Sequence, residues 1–256
     1  LLEVLRNFDN SGESVNEERN RIKRFKIEHN GKEKEINVKC FSRKNRITEF
    51  IYKYFKGSKG KRSYLYGRKL LQLGIKTPEP IAYFDDYYDE TAEEKRTFYI
   101  SENLEYQLTC REIFGNGNFT HEAKEIIKKD KEKLIKLFTE FTFSLHEKGV
   151  EFHDYSPGNV LIKKTNDDSY EFYLIDLNRM TFRKKLGFSR RMRNVSRMMG
   201  ETQYIEKFSK YYSELYKKNY LRVFFRLYSF VKIHESNVAV KDNTRTFRYF
   251  FKRKKR

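Results

Sequence analysis

The sequence has few cysteines and no long apolar run, and each shortage excludes a class of protein. Only two cysteines, Cys40 and Cys110, occur in 256 residues. They match no metal-site spacing and give no disulfide framework, so a reducing compartment is expected. No apolar run approaches the roughly 20 residues of a transmembrane helix. No signal peptide is visible, but the chain starts at Leu1 rather than Met, so an upstream piece can be missing.

Acidic residues are scarce relative to basic ones. The chain has 36 Asp and Glu against 55 Lys and Arg, a net charge of +19. This excess indicates an anionic partner, which can be nucleic acid, an anionic membrane surface or a phosphorylated substrate. The 23 Phe and 19 Tyr are enough to fill much of a large core. The length allows one large domain or two lobes.

Local patterns predict a strand-rich part before about residue 104 and a helix-rich part after it. Asn30-Gly31, between the strand-like stretches 21–28 and 32–41, is a strong signal of a two-residue hairpin turn. Lys39 falls on the face of the second strand opposite to its aliphatic residues. The other predicted elements are a helix at 58–74, strands in 75–84 and 97–104, a helix at 120–149, and a hairpin of 159–164 with 170–178. A later helix is predicted to bury Tyr204, Ile205, Phe208, Tyr211, Tyr212 and Leu215.

The stretch "EFHDYSPGNVLI" at 151–162 holds polar residues in a loop between two apolar elements. Asp154 and Asn159 lie in this loop, and Asp176 follows the apolar "YLI". Because a hairpin brings the start of its first strand next to the end of its second, we expect Asn159 and Asp176 to be neighbours, with Asp154 close by. Carboxylate and amide oxygens suit Mg²⁺, and a second carboxylate can take a proton from an attacking hydroxyl. With Lys39 to bind phosphate oxygens, these are the groups that phosphoryl transfer needs.

These residues occur in an ordered set of motifs that resembles the bacterial lipopolysaccharide kinase group, the Kdo and heptose kinases of the inner core. The group has a protein-kinase-like fold, and the resemblance runs from about residue 19 to about residue 200. A single motif such as D-x-x-x-x-N is weak, whereas the ordered set is specific. The motifs are "RNRIKRF", "INVKCF", "SKGKRSY", "LGIKTPEPIAY", "HDYSPGNVLI" and "LIDLNRM".

The resemblance implies a bilobal α+β fold, with an antiparallel-sheet lobe at 1–103 and a mainly helical lobe at 104–256. It implies an enzyme that uses ATP and Mg²⁺ to phosphorylate a sugar hydroxyl, with Kdo as the first choice of sugar. The acceptor would be the lipid A–core of lipopolysaccharide, met at the cytoplasmic face of the inner membrane by a peripheral protein. An anionic membrane surface is thus an expected partner, and nucleic acid is not.

The resemblance also assigns roles by position. Lys39 would bind the α- and β-phosphates of ATP, and Asp154 would be the catalytic base. Asn159 and Asp176 would hold Mg²⁺. The strand end at 101–104 would meet adenine through backbone groups. The implied adenine-binding residues are Glu102 and Leu104.

The sequence departs from protein kinases at four places. Phe152 stands where protein kinases have a His before the base, and the neighbouring His153 either orients the loop or is an ordinary surface or packing residue. The metal motif ends in Asn178 rather than Gly. No G-x-G-x-x-G loop is present, and Gly12 is the only candidate glycine before the first clear strand. The first predicted helix has no acidic residue to pair with the phosphate-binding lysine, so Glu49 or another residue would have to serve.

Other interpretations stay open from the sequence alone. A kinase-fold enzyme with a protein or small-molecule acceptor has the same motifs, and a catalytically dead nucleotide-binding scaffold would explain the missing Glu. The segments 183–199 and 245–256 interleave basic with apolar and aromatic residues, a pattern that suits an anionic lipid interface. It also suits RNA, although no RNA-binding motif is recognised.

Overall fold

The computed structural model describes residues 1–16, 20–41, 57–89, 94–115, 119–166 and 169–253. The chain divides into two compact units. The first comprises Leu1–Tyr106 and Tyr173–Met180, and the second comprises Gln107–Phe172 and Thr181–Arg256. The proposed functional lobes, 1–103 and 104–256, stay a prediction.

The first unit is built on a five-stranded sheet with the strand order β1-β2-β3-β5-β4. Each pair of neighbouring strands is antiparallel. A short helix, α1, precedes the sheet, and a longer one, α2, lies between β3 and β4. The elements are α1 (Leu2–Arg6), β1 (Glu13–Asn16), β2 (Asn20–His29), β3 (Lys32–Phe41), α2 (Lys59–Gln72), β4 (Pro80–Asp89) and β5 (Glu94–Glu102).

The predicted hairpin is confirmed at β2 and β3. Asn30 and Gly31 have φ angles of 54° and 69°, which are the positive values that a type I′ turn requires at both central residues. The alternation along β3 buries its aliphatic residues in the core of the sheet and places Lys39 on the other face. The core residues are Leu5, Phe8, Phe25, Ile36, Val38, Cys40, Phe98 and Ile100.

The rest of the chain contains, among the described residues, two small sheets, five α-helices and one short 3-10 helix (Pro157–Asn159). Strands β6, β8 and β9 form one sheet in the order β6-β8-β9, and β10 pairs with β7 in the other. Helix α4 begins after the N-cap Thr120, whose side chain accepts from the Ala123 N–H. The elements are β6 (Leu108–Thr109), α3 (Cys110–Phe114), α4 (His121–Glu147), β7 (Val150–Phe152), β8 (Val160–Asn166), β9 (Ser169–Leu174), β10 (Met180–Phe182), α5 (Phe188–Val195), α6 (Thr202–Tyr216) and α7 (Tyr220–Arg253).

Two sequence predictions need correction. The strand predicted over 170–178 ends at Leu174, and the three-residue β10 was not foreseen. Helix α6 buries a narrower face than its pattern indicated. Leu215 is 38% exposed, and the half-exposed Tyr211 donates its hydroxyl to Glu132 Oε1 at 2.6 Å. This hydrogen bond keeps the Tyr211 hydroxyl at the polar surface and out of the core. The same carboxylate raises the pKa of Tyr211 to about 12.

No helix in the described ranges is both long enough and apolar enough to span a membrane.

Two glycines with nearly the same backbone angle should differ sharply in their tolerance of alanine. Gly31 has φ +69°, and no atom lies within 4 Å of the place that an added Cβ would take, whereas at Gly149, with φ +71°, a Cβ would lie 1.9 Å from the Arg183 carbonyl oxygen. Gly31→Ala should cost about 1 kcal/mol of backbone strain. Gly149→Ala should cost about 3 kcal/mol or more, because overpacking adds to the same strain.

Urea denaturation of the two variants and the wild type measures both losses. Equal free energies of unfolding for the two variants would show that the contact between the 149 and 183 backbones is unimportant.

Candidate functional site

Lys39 makes an ion pair with Asp176, which is 137 positions later in the chain. Its Nζ donates to Asp176 Oδ1 at 2.7 Å. The lysine side chain is only 14% exposed, and Nζ lies 5.3 Å from the centre of the Phe41 ring. Lys39 therefore does not point into water. The predicted partner Glu49 lies outside the described residues.

Asp176 has an uncommon backbone conformation. Its φ is +57°, a left-handed value that only a few per cent of non-glycine residues adopt, with Asp among the more tolerant types. Asn178 Nδ2 also donates to Asp176 Oδ1, at 2.7 Å. Both described hydrogen bonds thus use Oδ1, and Oδ2 is left to accept a donor or to bind a cation.

The end of β5 carries the residues expected to meet adenine. The N–H of Glu102 donates to the Glu79 carbonyl at 2.9 Å, and the N–H of Asn103 donates to the Glu35 carbonyl at 2.9 Å. The Glu102 carboxylate is paired with Lys34 Nζ at 2.9 Å. Within the described part of the chain, Leu104 has the first N–H after β5 without a hydrogen bond. Backbone recognition by this segment would therefore use the N–H of Leu104 rather than that of Glu102.

The loop of the second unit brings Asp154 and Asn159 together. Asn159 Nδ2 donates to the Asp154 carbonyl at 2.8 Å, so the amide oxygen of Asn159 is the atom that can accept or coordinate. Arg197 donates from Nη1 to the His153 carbonyl at 2.7 Å. The same Nη1 lies 3.6 Å from Asp154 Oδ1. The loop thus presents a half-buried carboxylate beside a guanidinium.

Hydrogen bonds between buried polar groups hold the backbone at the start of this loop. Asn194 Nδ2 donates to the Phe152 carbonyl at 2.7 Å, and its Oδ1 lies 3.3 Å from His146 Nε2. His146 Nδ1 is 2.9 Å from the Tyr212 hydroxyl. Burial lowers the pKa of His146 to about 3, so this imidazole is neutral at physiological pH.

The structure shows the surroundings of three residues at which the sequence departs from protein kinases. Phe152 is fully buried, which explains an apolar residue where protein kinases have histidine. The exposed His153 has Nε2 2.8 Å from Thr181 Oγ1. At Gly12 the Phe25 ring occupies the space that a side chain would take. Packing against the core of the sheet therefore explains why this residue is a glycine. The connection between β1 and β2 lies outside the described residues.

The structure shows two pairings among these residues and leaves one prediction open. Lys39 and Asp176 meet in the first unit, and Asp154 and Asn159 meet in the second. The proximity of Asn159 to Asp176 stays a prediction. In the described ranges no three residues of His, Cys, Asp and Glu cluster as metal ligands, but a magnesium site with one carboxylate and one amide needs no such cluster. The donor types at Asp176 Oδ2 and Asn159 Oδ1 fit Mg²⁺.

Sequence reasoning missed Arg197, Asn194 and Arg111. The guanidinium of Arg111 lies where a side chain at Gly158 would be, 2.5 Å from the ideal Cβ position. The sequence signal available for Arg197 and Asn194 is the basic stretch 183–199, whose composition indicates only a surface. Arg197 and Asn194 make their contacts with residues more than 40 positions away, and such contacts leave no pattern in the local sequence.

Comparisons with known proteins agree with the fold. The model of the Lipopolysaccharide kinase (Kdo/WaaP) family matches residues 13–224. Among solved structures, the chain is similar to WaaP in complex with acyl carrier protein, with 15% identity, a TM-score of 0.55, and coverage of 89% of this chain and 87% of that one. It is also similar to the Rio2 kinase-ADP/Mg²⁺-phosphoaspartate complex from Chaetomium thermophilum, with 13% identity, a TM-score of 0.47, and coverage of 85% and 61%.

At these identities the likeness to solved structures shows the fold alone, and it is the WaaP structure that carries this conclusion. No curated protein sequence gave a match. The predicted α+β kinase-like fold, with an N-terminal antiparallel sheet and a mainly helical C-terminal part, is confirmed.

The neutral His146 should make stability fall as the pH is lowered. Its pKa is about 3 in the fold against a usual value of 6.5, so the unfolded chain binds the proton first. The stabilising contribution is complete above pH 6.5 and is lost as the pH falls below it. Between pH 7 and pH 5 this group should remove about 2 kcal/mol from the free energy of unfolding.

His146→Gln removes the titrating group and keeps a hydrogen-bonding side chain. Urea denaturation of both proteins at the two pH values should give a smaller pH-dependent loss for the variant. The same loss in both would contradict a buried neutral His146.

Proposed function

Because the chain belongs to the lipopolysaccharide kinase (Kdo/WaaP) family, we propose that it transfers a phosphoryl group from ATP to a hydroxyl of Kdo in the inner core. The observation that carries this proposal is the ion pair between Lys39 Nζ and Asp176 Oδ1 at 2.7 Å. These are the residues to which the family motifs assign phosphate binding and metal binding. Membership of the family supports a nucleotide-using sugar kinase, and Kdo is the specific acceptor that we propose.

The phosphate-binding groups have distinct tasks in this proposal. Lys39 binds the α- and β-phosphate oxygens, and its contact with Asp176 holds the ammonium in place on β3. Asp176 Oδ2 and Asn159 Oδ1 are the atoms that would hold a magnesium ion. When bound, Mg²⁺ neutralises charge on the phosphate oxygens. The left-handed backbone of Asp176 supports a functional role, since such conformations cluster at active sites and ligand clamps.

Asp154 acts as the base. Its carboxylate accepts the proton of the sugar hydroxyl while the hydroxyl oxygen forms the new bond to the γ-phosphorus. The bond from that phosphorus to the bridging oxygen breaks, and ADP leaves with the electron pair. Arg197, 3.6 Å from Asp154 Oδ1, and the hydrogen bond from Asn159 to the Asp154 backbone both fix the direction of this carboxylate.

The adenine ring is held by the backbone after β5. In this proposal the Glu102 carbonyl accepts from the adenine amino group, and the Leu104 N–H donates to a ring nitrogen. The Glu102 and Asn103 N–H groups are already bonded to the Glu79 and Glu35 carbonyls, which supports the choice of Leu104 as the donor.

The acceptor is lipid A–core lipopolysaccharide, and we place the protein at the cytoplasmic face of the inner membrane as a peripheral protein. The net charge of +19 supports an anionic surface as its working environment. The rival interpretations are a kinase with another acceptor and a dead nucleotide-binding scaffold. The scaffold has no need of both a base and two metal ligands, and these groups are all present.

Turnover on defined acceptors tests the proposal. The protein is incubated with ATP, Mg²⁺ and purified lipid A–Kdo, and with a core that carries heptose, and phosphate gain is followed by mass spectrometry. Phosphate on Kdo supports the proposal. Phosphate only on heptose, or nucleotide binding without any transfer, would refute the Kdo assignment or the enzyme assignment respectively.

Asp154→Asn should lower turnover by about 10²–10⁴-fold, since the substitution is close to isosteric and removes the base. ATP affinity, measured by calorimetry, should stay near that of the wild type. Asp130→Asn is the matched control, because Asp130 accepts from the Tyr170 hydroxyl in the same unit and has no role in the proposed reaction. Full activity of Asp154→Asn would remove this residue from the mechanism.

Asp176→Asn should lose the Mg²⁺-dependent part of ATP affinity, because a charged oxygen ligand becomes neutral. Calorimetry with ATP in the presence and absence of Mg²⁺ measures this part directly. Glu33→Gln is the control, since Glu33 lies in the same unit and pairs with Lys26 at 2.9 Å on an exposed part of the five-stranded sheet. If metal-dependent binding is unchanged in Asp176→Asn, Asp176 serves the turn and not the metal.

A further inference from the structure

We propose that the outer face of helix α7 docks on an anionic lipid membrane. We define this outer face by Leu221, Phe225, Ile233 and Val240, with the basic residues beside them. The proposal deepens the proposed function, on which its biological meaning rests, because a lipid-linked acceptor is met at a membrane surface. Its physical support is independent of that function.

Helix α7 is apolar on two opposite sides. Val223, Leu227 and Val231 are buried, and they face α5 and α6, against which α7 packs. The four outer-face residues are 54%, 60%, 55% and 62% exposed in chain order. Their spacing of 4, 8 and 7 residues places them on one side of a helix. Packing among the described residues explains the apolar inner side of the helix and gives no reason for its apolar outer side.

Basic side chains flank this exposed apolar side. Arg222, Arg226 and Lys232 are all exposed on α7. Between residues 220 and 240 the only acidic residue is Glu235, and it is neutralised by Lys232 at 2.8 Å. On the neighbouring α5 the exposed basic residues are Arg190 and Arg193.

Aromatic rings hold two of these guanidinium groups near the outer face. Arg222 lies 5.6 Å from the Phe188 ring centre, and Arg226 lies 5.0 Å from that of Phe230. Such contacts keep the charge and limit its movement. A surface with fixed cations around exposed apolar side chains complements an anionic lipid interface, where the cations meet headgroups and the apolar groups enter the acyl boundary.

The same features argue against other occupants. Three of the four exposed apolar residues are aliphatic, and nucleic-acid bases are bound by stacking on aromatic or guanidinium planes. A second copy of the chain would bring Arg222 and Arg226 against a face of the same charge. An anionic lipid surface satisfies both the charge and the apolar groups.

The double variant Phe225→Ser/Ile233→Ser tests the proposal. Both side chains are exposed, so the melting temperature should stay near that of the wild type. The control is Val15→Ser/Leu65→Ser. It replaces two apolar side chains of the first unit that are 51% and 48% exposed. Co-sedimentation is measured with vesicles of phosphatidylglycerol and phosphatidylcholine, and with phosphatidylcholine alone.

We expect the wild type and the control to bind the anionic vesicles, and the outer-face variant to bind them at least about ten-fold more weakly, since less apolar surface leaves water. Binding should weaken with added salt and on neutral vesicles. Equal vesicle binding by the outer-face variant and the control would overturn the proposal. So would equal binding to neutral and anionic vesicles, or a wild-type dimer that the outer-face variant dissociates in size-exclusion chromatography.

A kinase assay separates failure of docking from failure of the proposed function. On membrane-held acceptor the outer-face variant should lose activity, and on a soluble, delipidated acceptor it should match the wild type. Vesicle binding without turnover on either acceptor would refute the kinase function and leave docking supported. Turnover on both acceptors without vesicle binding by the wild type would refute docking alone.

Discussion

The first unit depends on one ion pair, between Lys39 and Asp176. Two charges in a half-buried position cost free energy unless they are paired and hydrogen-bonded. Lys39, with its side chain 14% exposed, therefore requires that a segment more than 130 positions away returns to the sheet. Two further bonds hold that segment, since the Leu174 N–H donates to the Lys76 carbonyl at 3.0 Å and Thr77 Oγ1 donates to the Leu174 carbonyl at 2.7 Å. The returning segment thus belongs to the first unit although it follows a hairpin of the second.

Buried hydrogen bonds, rather than an ion pair, hold the loop that carries Asp154. Its backbone is tied through Asn194 to a buried His146, and the loop carries Tyr155 as a fully buried side chain whose hydroxyl lies 2.6 Å from Thr142 Oγ1. The role proposed for Asp154 needs such support, because a loop alone does not hold a side chain to within the tolerance of catalysis. The cost is a buried histidine that stays neutral in the fold at physiological pH, which ties the stability of the protein to pH.

Local features of the sequence predicted much of this structure, and long-range ones did not. The Asn30-Gly31 hairpin and the helix after Thr120 follow from turn and cap chemistry within a few residues. Strand β10 is too short to leave a pattern, and its pairing with β7 is a tertiary feature. The hairpin pattern and the family motifs predict Asp176 as a metal ligand, which stays a prediction, but they do not predict its pairing with Lys39, because ion pairs across 137 positions depend on how the elements pack. Arg197 was missed for the same reason.

The basic excess has two different uses in the molecule. Some cations are internal, such as Arg96, whose side chain is 8% exposed and binds Asp9 Oδ2 at 2.8 Å, and Arg191, which is 3% exposed and is paired with Glu147. Others, such as Arg222 on α7, remain exposed next to apolar side chains. Net charge alone does not distinguish a membrane from a nucleic acid, since both are anionic. The apolar residues beside the exposed cations are the reason that we propose a membrane, because aliphatic side chains gain nothing from a phosphate backbone and much from an acyl boundary.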